Sequence, residues 1–183
     1  MRLGIFGGSF SPPHLGHLRA AEFFAASRRL DRVLIVPTGI SPLKGQPTGV
    51  REEDRRTLCR LTFSRELFEV NDWELNRPGP SYTIDTLRYV KERYPEAELF
   101  LLIGEDQYAQ FRQWKDWREI LRLAERIVLP RYEKNAAGFA PLPVSSSELR
   151  EKLAAGEDVS DYLAPQALEY IYERGLYDAR RLP

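Results

Sequence analysis

Cysteine occurs once in the 183 residues, at Cys59, so no internal disulfide can form. Neither sign of charge is in excess, because 27 Lys and Arg balance 27 Asp and Glu. That balance argues against a protein that coats nucleic acid, which would need a strongly basic face. It leaves room for a local basic pocket around a small phosphate ligand. Long apolar runs are missing as well. Stretches such as Leu99 to Ile103 are far too short to span a bilayer, so no membrane partner is expected. The chain starts straight into "RLGIF" with no secretory pattern. A cytoplasmic, reducing location fits these absences best. Neither G-x-G-x-x-G nor G-x-x-x-x-G-K-[ST] occurs, so the common nucleotide fingerprints are absent too.

What is present is an ordinary globular composition, 43% apolar and 30% charged. The length suits one domain with a sizeable core. Short apolar runs at Arg2–Phe6, Arg32–Val36, Leu67–Val70, Leu99–Ile103 and Arg126–Pro130 read as strands. Helical patterns lie between them, over Leu15–Arg29, Glu52–Arg65, Tyr82–Arg93 and Asp116–Glu125. The alternation predicts an α/β fold, a doubly wound Rossmann-like parallel sheet, with ligands bound beyond the carboxyl ends of the strands. After Pro130 the pattern becomes a loop and then two helices, Ser146–Ala155 and Pro165–Glu173. We expect a single domain of residues 1–183, with a sheet core over 1–143 and a small C-terminal helical end-piece over 144–183. The sequence leaves a homo-oligomer open.

The two histidines of the chain, His14 and His17, fall together in "GGSFSPPHLGH", just after the first strand. Gly7 and Gly8 are expected to let the backbone turn sharply and a ligand approach closely. Pro13 suits the first position of a helix, which would put His14 and His17 on one face of its first turn. Free N–H groups and the positive dipole end there favour a phosphate. The same pair could instead form a satisfied polar patch, or ligate a metal if a carboxylate supplied a third ligand.

The stretch closely resembles the "GG-[ST]-F-D-P-x-H-x-G-H" signature of the nucleotidyltransferase superfamily. That resemblance implies that His14 and His17 contact nucleotide phosphates, with Gly7, Gly8, Ser9 and Phe10 beside them in an ATP site. Ser11 departs from the usual Asp. "VSSSELR" fits a capping box between Ser145 and Glu148. It also resembles the superfamily's "I-S-S-T-x-[IL]-R" element, which implies that Ser145, Ser146, Ser147 and Arg150 hold ATP phosphates.

Three further stretches resemble the bacterial nicotinate-nucleotide adenylyltransferases. "RPGPSYTIDTL" carries Ser81, Tyr82 and Thr83; "LIGEDQYAQFRQWKDW" carries Asp106 and Trp114; "PTGISPLK" carries Lys44, with Leu43 in place of the usual His. The resemblance assigns these six residues to the nicotinate nucleotide, with Trp114 stacking on the pyridine ring. It implies adenylyl transfer from ATP to nicotinate mononucleotide, with His14, His17 and Arg150 catalytic. Mg²⁺ is expected to arrive with ATP, held by phosphates, since no carboxylate cluster shows ligand spacing. The alternatives are another adenylyltransferase of the superfamily, acting on nicotinamide mononucleotide or phosphopantetheine, and a non-catalytic nucleotide-binding module.

Overall fold

The computed structural model describes residues 1–42, 45, 50–129 and 139–180. Five strands, β1 (Arg2–Gly8), β2 (Arg32–Pro37), β3 (Phe68–Val70), β4 (Glu98–Gly104) and β5 (Ala124–Leu129), form one sheet in the order β3-β2-β1-β4-β5. Every pairing is parallel. The chain winds outward from β1 through β2 to β3, then returns to the other side of β1 with β4. The carboxyl ends of β1 and β4 are therefore the switch point, where an open α/β sheet leaves a crevice.

Seven helices are described: α1 (Leu15–Arg28), α2 (Glu52–Thr62), α3 (Thr83–Arg93), α4 (Glu105–Ala109), α5 (Trp117–Leu123), α6 (Ser146–Ala155) and α7 (Pro165–Arg174). Alternating strand side chains sort them into layers. Phe6, Val33, Ile35, Phe100 and Leu102 face α1 and α2, meeting Ala21, Phe24, Cys59 and Phe63. Leu3, Ile5, Leu34, Val36, Leu99 and Leu101 face the other way, against Ile84, Leu87 and Val90 of α3 and Ile120 of α5. Both faces of the sheet are covered, which explains why its strands read as unbroken apolar runs. No described helix is long and apolar enough to cross a membrane.

The end-piece packs on α2 rather than standing alone. Leu58 of α2 joins Leu149 and Leu153 of α6, Ile171 of α7, and Leu176 and Tyr177 beyond it. Near α2 the carboxylate of Asp54 accepts from the Tyr170 hydroxyl at 2.8 Å.

Several expected boundaries move. The helix predicted to Glu125 stops at Leu123, because Ala124 and Glu125 pair with Leu99 and Phe100 and enter β5. Ladder pairing and the burial of Ala124 override local helix preference there. The end predicted for that strand, Pro130, lies outside the described residues. The helix predicted to Arg65 ends at Thr62. Helix α4, five residues in "EDQYA", was not expected at all. It is too short for a periodic signal.

Cys59 is fully enclosed between α2 and the sheet, and burial pushes its thiol well above the ordinary range. Thiolate is the reactive form, so this sulfur is inert while the fold is closed. A thiol reagent at pH 8 should leave the folded protein unlabelled and label it once per chain in denaturant. Full labelling of the native protein would mean that the α2 layer opens.

Candidate active site at the carboxyl ends of β1 and β4

A cavity of about 1020 Å³ opens at the switch point. All of the expected site residues except Lys44 line it, and Lys44 lies outside the described residues. Gly7 and Gly8, Ser9, Phe10, His14 and His17 form one wall; Ser145, Ser146, Ser147 and Arg150 form an adjoining part. Ser81, Tyr82, Thr83, Asp106 and Trp114 also line the same space.

The local geometry of the first wall differs from expectation in three ways. Gly7 and Gly8 are the last residues of β1, paired with Val36 and Pro37. They do not make the turn. Phe10 makes it, at φ 44, and its ring is buried among Phe6, Phe63 and His17. A left-handed backbone is uncommon for a bulky residue, and here the buried ring holds it. A Cβ at Gly8 would meet that ring at 3.0 Å, so the glycine makes room for it.

The second difference concerns Pro13. It precedes the helix, and His14 is the N-cap rather than a first-turn residue. The His14 N–H donates to Nδ1 of His17 at 3.2 Å, and the His17 N–H donates to Nδ1 of His14 at 3.4 Å. This is a capping box built from two imidazoles, with the rings stacked at 3.7 Å. Each neutral ring therefore carries its proton on Nε2. Gly16, between them, is required: a Cβ there would lie 2.9 Å from Nδ1 of His14.

Third, the amino end of α1 is not fully open. Its Leu15 N–H donates to the Tyr162 carbonyl at 2.8 Å. The dipole end remains, but part of its donor set is used by the fold.

Helix α6 begins as the sequence indicates. Ser145 accepts from the Glu148 N–H at 3.2 Å, and Glu148 accepts from the Ser145 N–H at 2.7 Å. The cap leaves the N–H groups of Ser146 and Ser147 at the start of the helix, where intrahelical partners do not exist. The Ser146 hydroxyl donates to the Pro12 carbonyl at 2.9 Å. The guanidinium of Arg150 donates to the Ser11 carbonyl at 2.7 Å and to Ser147 Oγ at 3.2 Å. Ser11 itself is buried, its hydroxyl hydrogen-bonded to that of Tyr177 at 3.2 Å. Burial pushes the Tyr177 phenol up to about 12, so it stays a neutral partner.

Elsewhere along the cavity, Tyr82 is the N-cap of α3 and offers no side-chain bond to it. The N–H groups of Thr83 and Ile84 thus have no cap to accept them. The preceding turn is pinned: Ser81 donates through its N–H to the Ile40 carbonyl at 2.8 Å and accepts from the Gly39 N–H at 3.2 Å. Trp114 follows a short 3-10 turn, Phe111–Gln113, and leans on Phe111 with ring centroids 5.3 Å apart. Asp106 is exposed in the first turn of α4.

Two residues went unnoticed in the sequence. Arg55 of α2 is 1% exposed and donates to the carbonyls of Ser9 at 3.0 Å and Thr38 at 2.7 Å. Burial lowers its pKa, yet no ordinary pH removes its charge. Glu74 is also buried; it accepts from Thr86 Oγ1 at 2.5 Å, and burial raises its carboxyl above the usual range. It closes the floor beneath Ser81, so tightly that a Cβ at Gly39 would lie 2.7 Å from the Glu74 carbonyl. Arg55 could have been found. Asp54, Arg55, Leu58, Cys59 and Thr62 form one buried helical stripe, and the apolar pair predicts its charged neighbours a turn earlier. Glu74 lies in an irregular segment with no periodic signal.

Among the described residues no group of three or more His, Cys, Asp and Glu could hold a metal ion. The Nδ1 atoms of both histidines are already engaged.

Comparison with known proteins gives the family and the fold. The cytidylyltransferase-like family profile matches residues 5–152. A protein of Chlorobaculum parvum described as "Probable nicotinate-nucleotide adenylyltransferase" is 42% identical, covering 97% of this chain and 99% of its own length. One of Chlorobaculum tepidum with the same description is 39% identical over 98% of this chain and all of its own. The fold matches that of a Plasmodium falciparum nicotinic acid mononucleotide adenylyltransferase complexed with NaAD, with a TM-score of 0.74 at 19% identity and 98% coverage of both chains.

The tie through Arg55 can be tested without any ligand. Arg55→Met removes the donor from two buried carbonyls, at about 1–3 kcal/mol for each group left unpaired. Urea unfolding should show a loss of that order, and Arg55→Lys should recover only part, since an ammonium is more strongly hydrated and costlier to bury. Wild-type stability in the Met variant would show that these carbonyls are satisfied without it.

Proposed function

The chain belongs to the nicotinate-nucleotide adenylyltransferases of the cytidylyltransferase-like family, and we infer that its cavity is where their reaction runs. The adenylyl group of ATP passes to nicotinate mononucleotide, giving the deamido dinucleotide and pyrophosphate in NAD biosynthesis. One observation carries this reading most. A single cavity at the switch point is lined both by the imidazole cap with the Ser145–Arg150 helix start and by the uncapped end of α3 with Trp114. The first set suits a triphosphate, and the second suits a flat ring bearing an anion.

We assign Gly7, Gly8, Ser9, Phe10, His17, Ser145, Ser146, Ser147 and Arg150 to ATP, and Lys44, Ser81, Tyr82, Thr83, Asp106 and Trp114 to the nicotinate nucleotide. Phe10 serves as the buried pivot of its loop. In the reaction an oxygen of the acceptor phosphate attacks the α-phosphorus of ATP. The new P–O bond forms as the bond to the β-phosphate bridge breaks, and pyrophosphate leaves. The second pKa of a phosphomonoester is about 6, so the attacking group is already ionised near neutral pH. No general base is required. Catalysis is positioning and charge stabilisation. His14 and His17 serve it because each Nδ1 accepts a backbone N–H in the capping box, which puts the ring proton on Nε2 as a donor for phosphate oxygen. Arg150 adds charge-assisted bonds to the phosphates. Mg²⁺ is proposed to travel with ATP, held largely by phosphate oxygens, where it neutralises their charge. The setting we propose is the cytoplasm, with residues 1–143 and 144–183 acting as one domain.

Acid is proposed to be preferred over amide because the N–H groups of Thr83 and Ile84, at the dipole end of α3, favour an anion. A carboxamide NH₂ facing them leaves donors unpaired, at about 1–3 kcal/mol for each buried group. That corresponds to a preference of roughly tenfold or more.

Pyrophosphate release should be measured with ATP and, separately, nicotinate mononucleotide, its amide analogue and phosphopantetheine. Turnover is expected with the first, weaker turnover with the second and none with the third. Equal kcat/KM for acid and amide would overturn the choice of acceptor. His17→Ala and His14→Ala should each lower kcat on the order of a hundredfold with the fold intact by circular dichroism. A double variant with near wild-type turnover would refute the role of the imidazoles.

Arg150→Ala should raise the KM for ATP more than that for the acceptor. An effect confined to the acceptor would move Arg150 to the other substrate.

A further inference from the structure

We propose that the side chain of Lys115 is a specificity-determining residue, the cation that adds charge reading to the acceptor end of the cavity. The inference rests on the assignment of that end to the nicotinate nucleotide. Lys115 follows Trp114 and lines the cavity together with Tyr82 and Thr83. Its Nζ lies 4.6 Å from the centroid of the Tyr82 ring. Tyr82 is the N-cap residue of α3 but gives it no side-chain bond, and Asp85 is in its first turn. The ammonium therefore lies beside the helix end whose first N–H groups lack a side-chain cap. The positive dipole end and a full positive charge therefore converge on one spot.

The ammonium is weakly held. Its charged neighbour is Asp85, in the first turn of α3, at 3.6 Å from Oδ2, which is longer than a hydrogen bond. Asp85 is shared with Arg88 at 3.4 Å, while Arg88 is committed more closely to Glu119 at 2.6 Å and reaches Asp116 at 3.4 Å. Acidic groups around α3 and α5 are thus mostly matched by Arg88, and Lys115 is the half-exposed cation left on the cavity side. A lysine on a flexible stem can leave a distant carboxylate for a closer one. Among the described residues lining the cavity, Arg150 is the other Lys or Arg, and it is tied to Ser11 and Ser147. Trp114 stacks equally on an acid or an amide ring and cannot tell them apart.

The test compares kcat/KM for nicotinate mononucleotide and its amide analogue at low ionic strength. Both carry the same phosphate, so a residue that reads the phosphate moves both values, and one that reads the ring carboxylate moves only the acid. Lys115→Met is expected to cut the acid-to-amide ratio roughly twofold to fivefold, the upper range for a partly exposed charge pair, with the KM for ATP unchanged. Lys115→Arg should retain the ratio. Asp85→Asn should raise it, by freeing the ammonium and removing a negative charge from the helix end. Added salt should narrow the wild-type ratio and leave that of Lys115→Met almost unmoved. An unchanged ratio in Lys115→Met, or equal losses on acid and amide, would overturn the inference. Failure of the wild-type protein to use the acid at all would instead overturn the acceptor assignment beneath it.

Discussion

The Ser9–Pro12 loop cannot satisfy its own carbonyls, and much of the molecule is arranged around that fact. The loop leaves β1, turns through a left-handed Phe10 and enters the cap of α1, so neither ladder nor helix supplies its donors. They come from far along the chain: Arg55 bonds Ser9, Arg150 bonds Ser11 and Ser146 bonds Pro12. A buried carbonyl without a donor is costly, so the loop conformation and the docking of α2 and α6 stand or fall together. Arg150 and Ser146 consequently have two duties. They shape the loop beside the imidazole pair, and they are among the residues we propose to hold the triphosphate.

This double use explains the build of the cavity end proposed for the phosphates. The imidazole cap turns Nδ1 inward to the backbone, and Gly16 lets the rings lie close enough to do so. The helix start at Ser145 is capped by Glu148, so its N–H groups are aimed before any ligand arrives. Preorganised donors need little rearrangement when charge develops. The end proposed for the acceptor is looser by comparison. Its helix is uncapped, its lysine is half-exposed, and its rigid element is the floor made by Glu74, Thr86, Ser81 and Gly39.

The strands were legible in the sequence because both faces of the sheet are covered, which turns each strand into a continuous apolar word. The Ser145–Glu148 box was legible because a cap is a local interaction between residues three apart. Boundaries failed where tertiary pairing outbid local preference, as at Ala124 and Glu125, or where an element was a single turn, as in α4. Histidines 14 and 17 were found as a pair, but their capping geometry was not, since imidazole is an unusual cap and Pro13 suggested an earlier helix start. The turn attributed to Gly7 and Gly8 belongs to Phe10, whose strained backbone is set by ring packing that no spacing reveals. Glu74 was invisible for a related reason: a carboxylate in an irregular stretch is normally solvated, and tertiary packing against Thr86 of α3 and the Gly39 turn buries it.

Tyr177 gives the architecture a direction in time. Its hydroxyl meets Ser11 across a separation of 166 residues, and Leu15 is anchored by Tyr162. A chain emerging from a ribosome carries its glycine and histidine stretch almost first and the residues that hold it in shape almost last. All five strands can leave the exit tunnel while that loop still lacks Arg150, Tyr162 and Tyr177. Contacts of such long range form late in folding because their closure entropy must be met first. The long-range ties of that loop are therefore made only once the C-terminal helices are available.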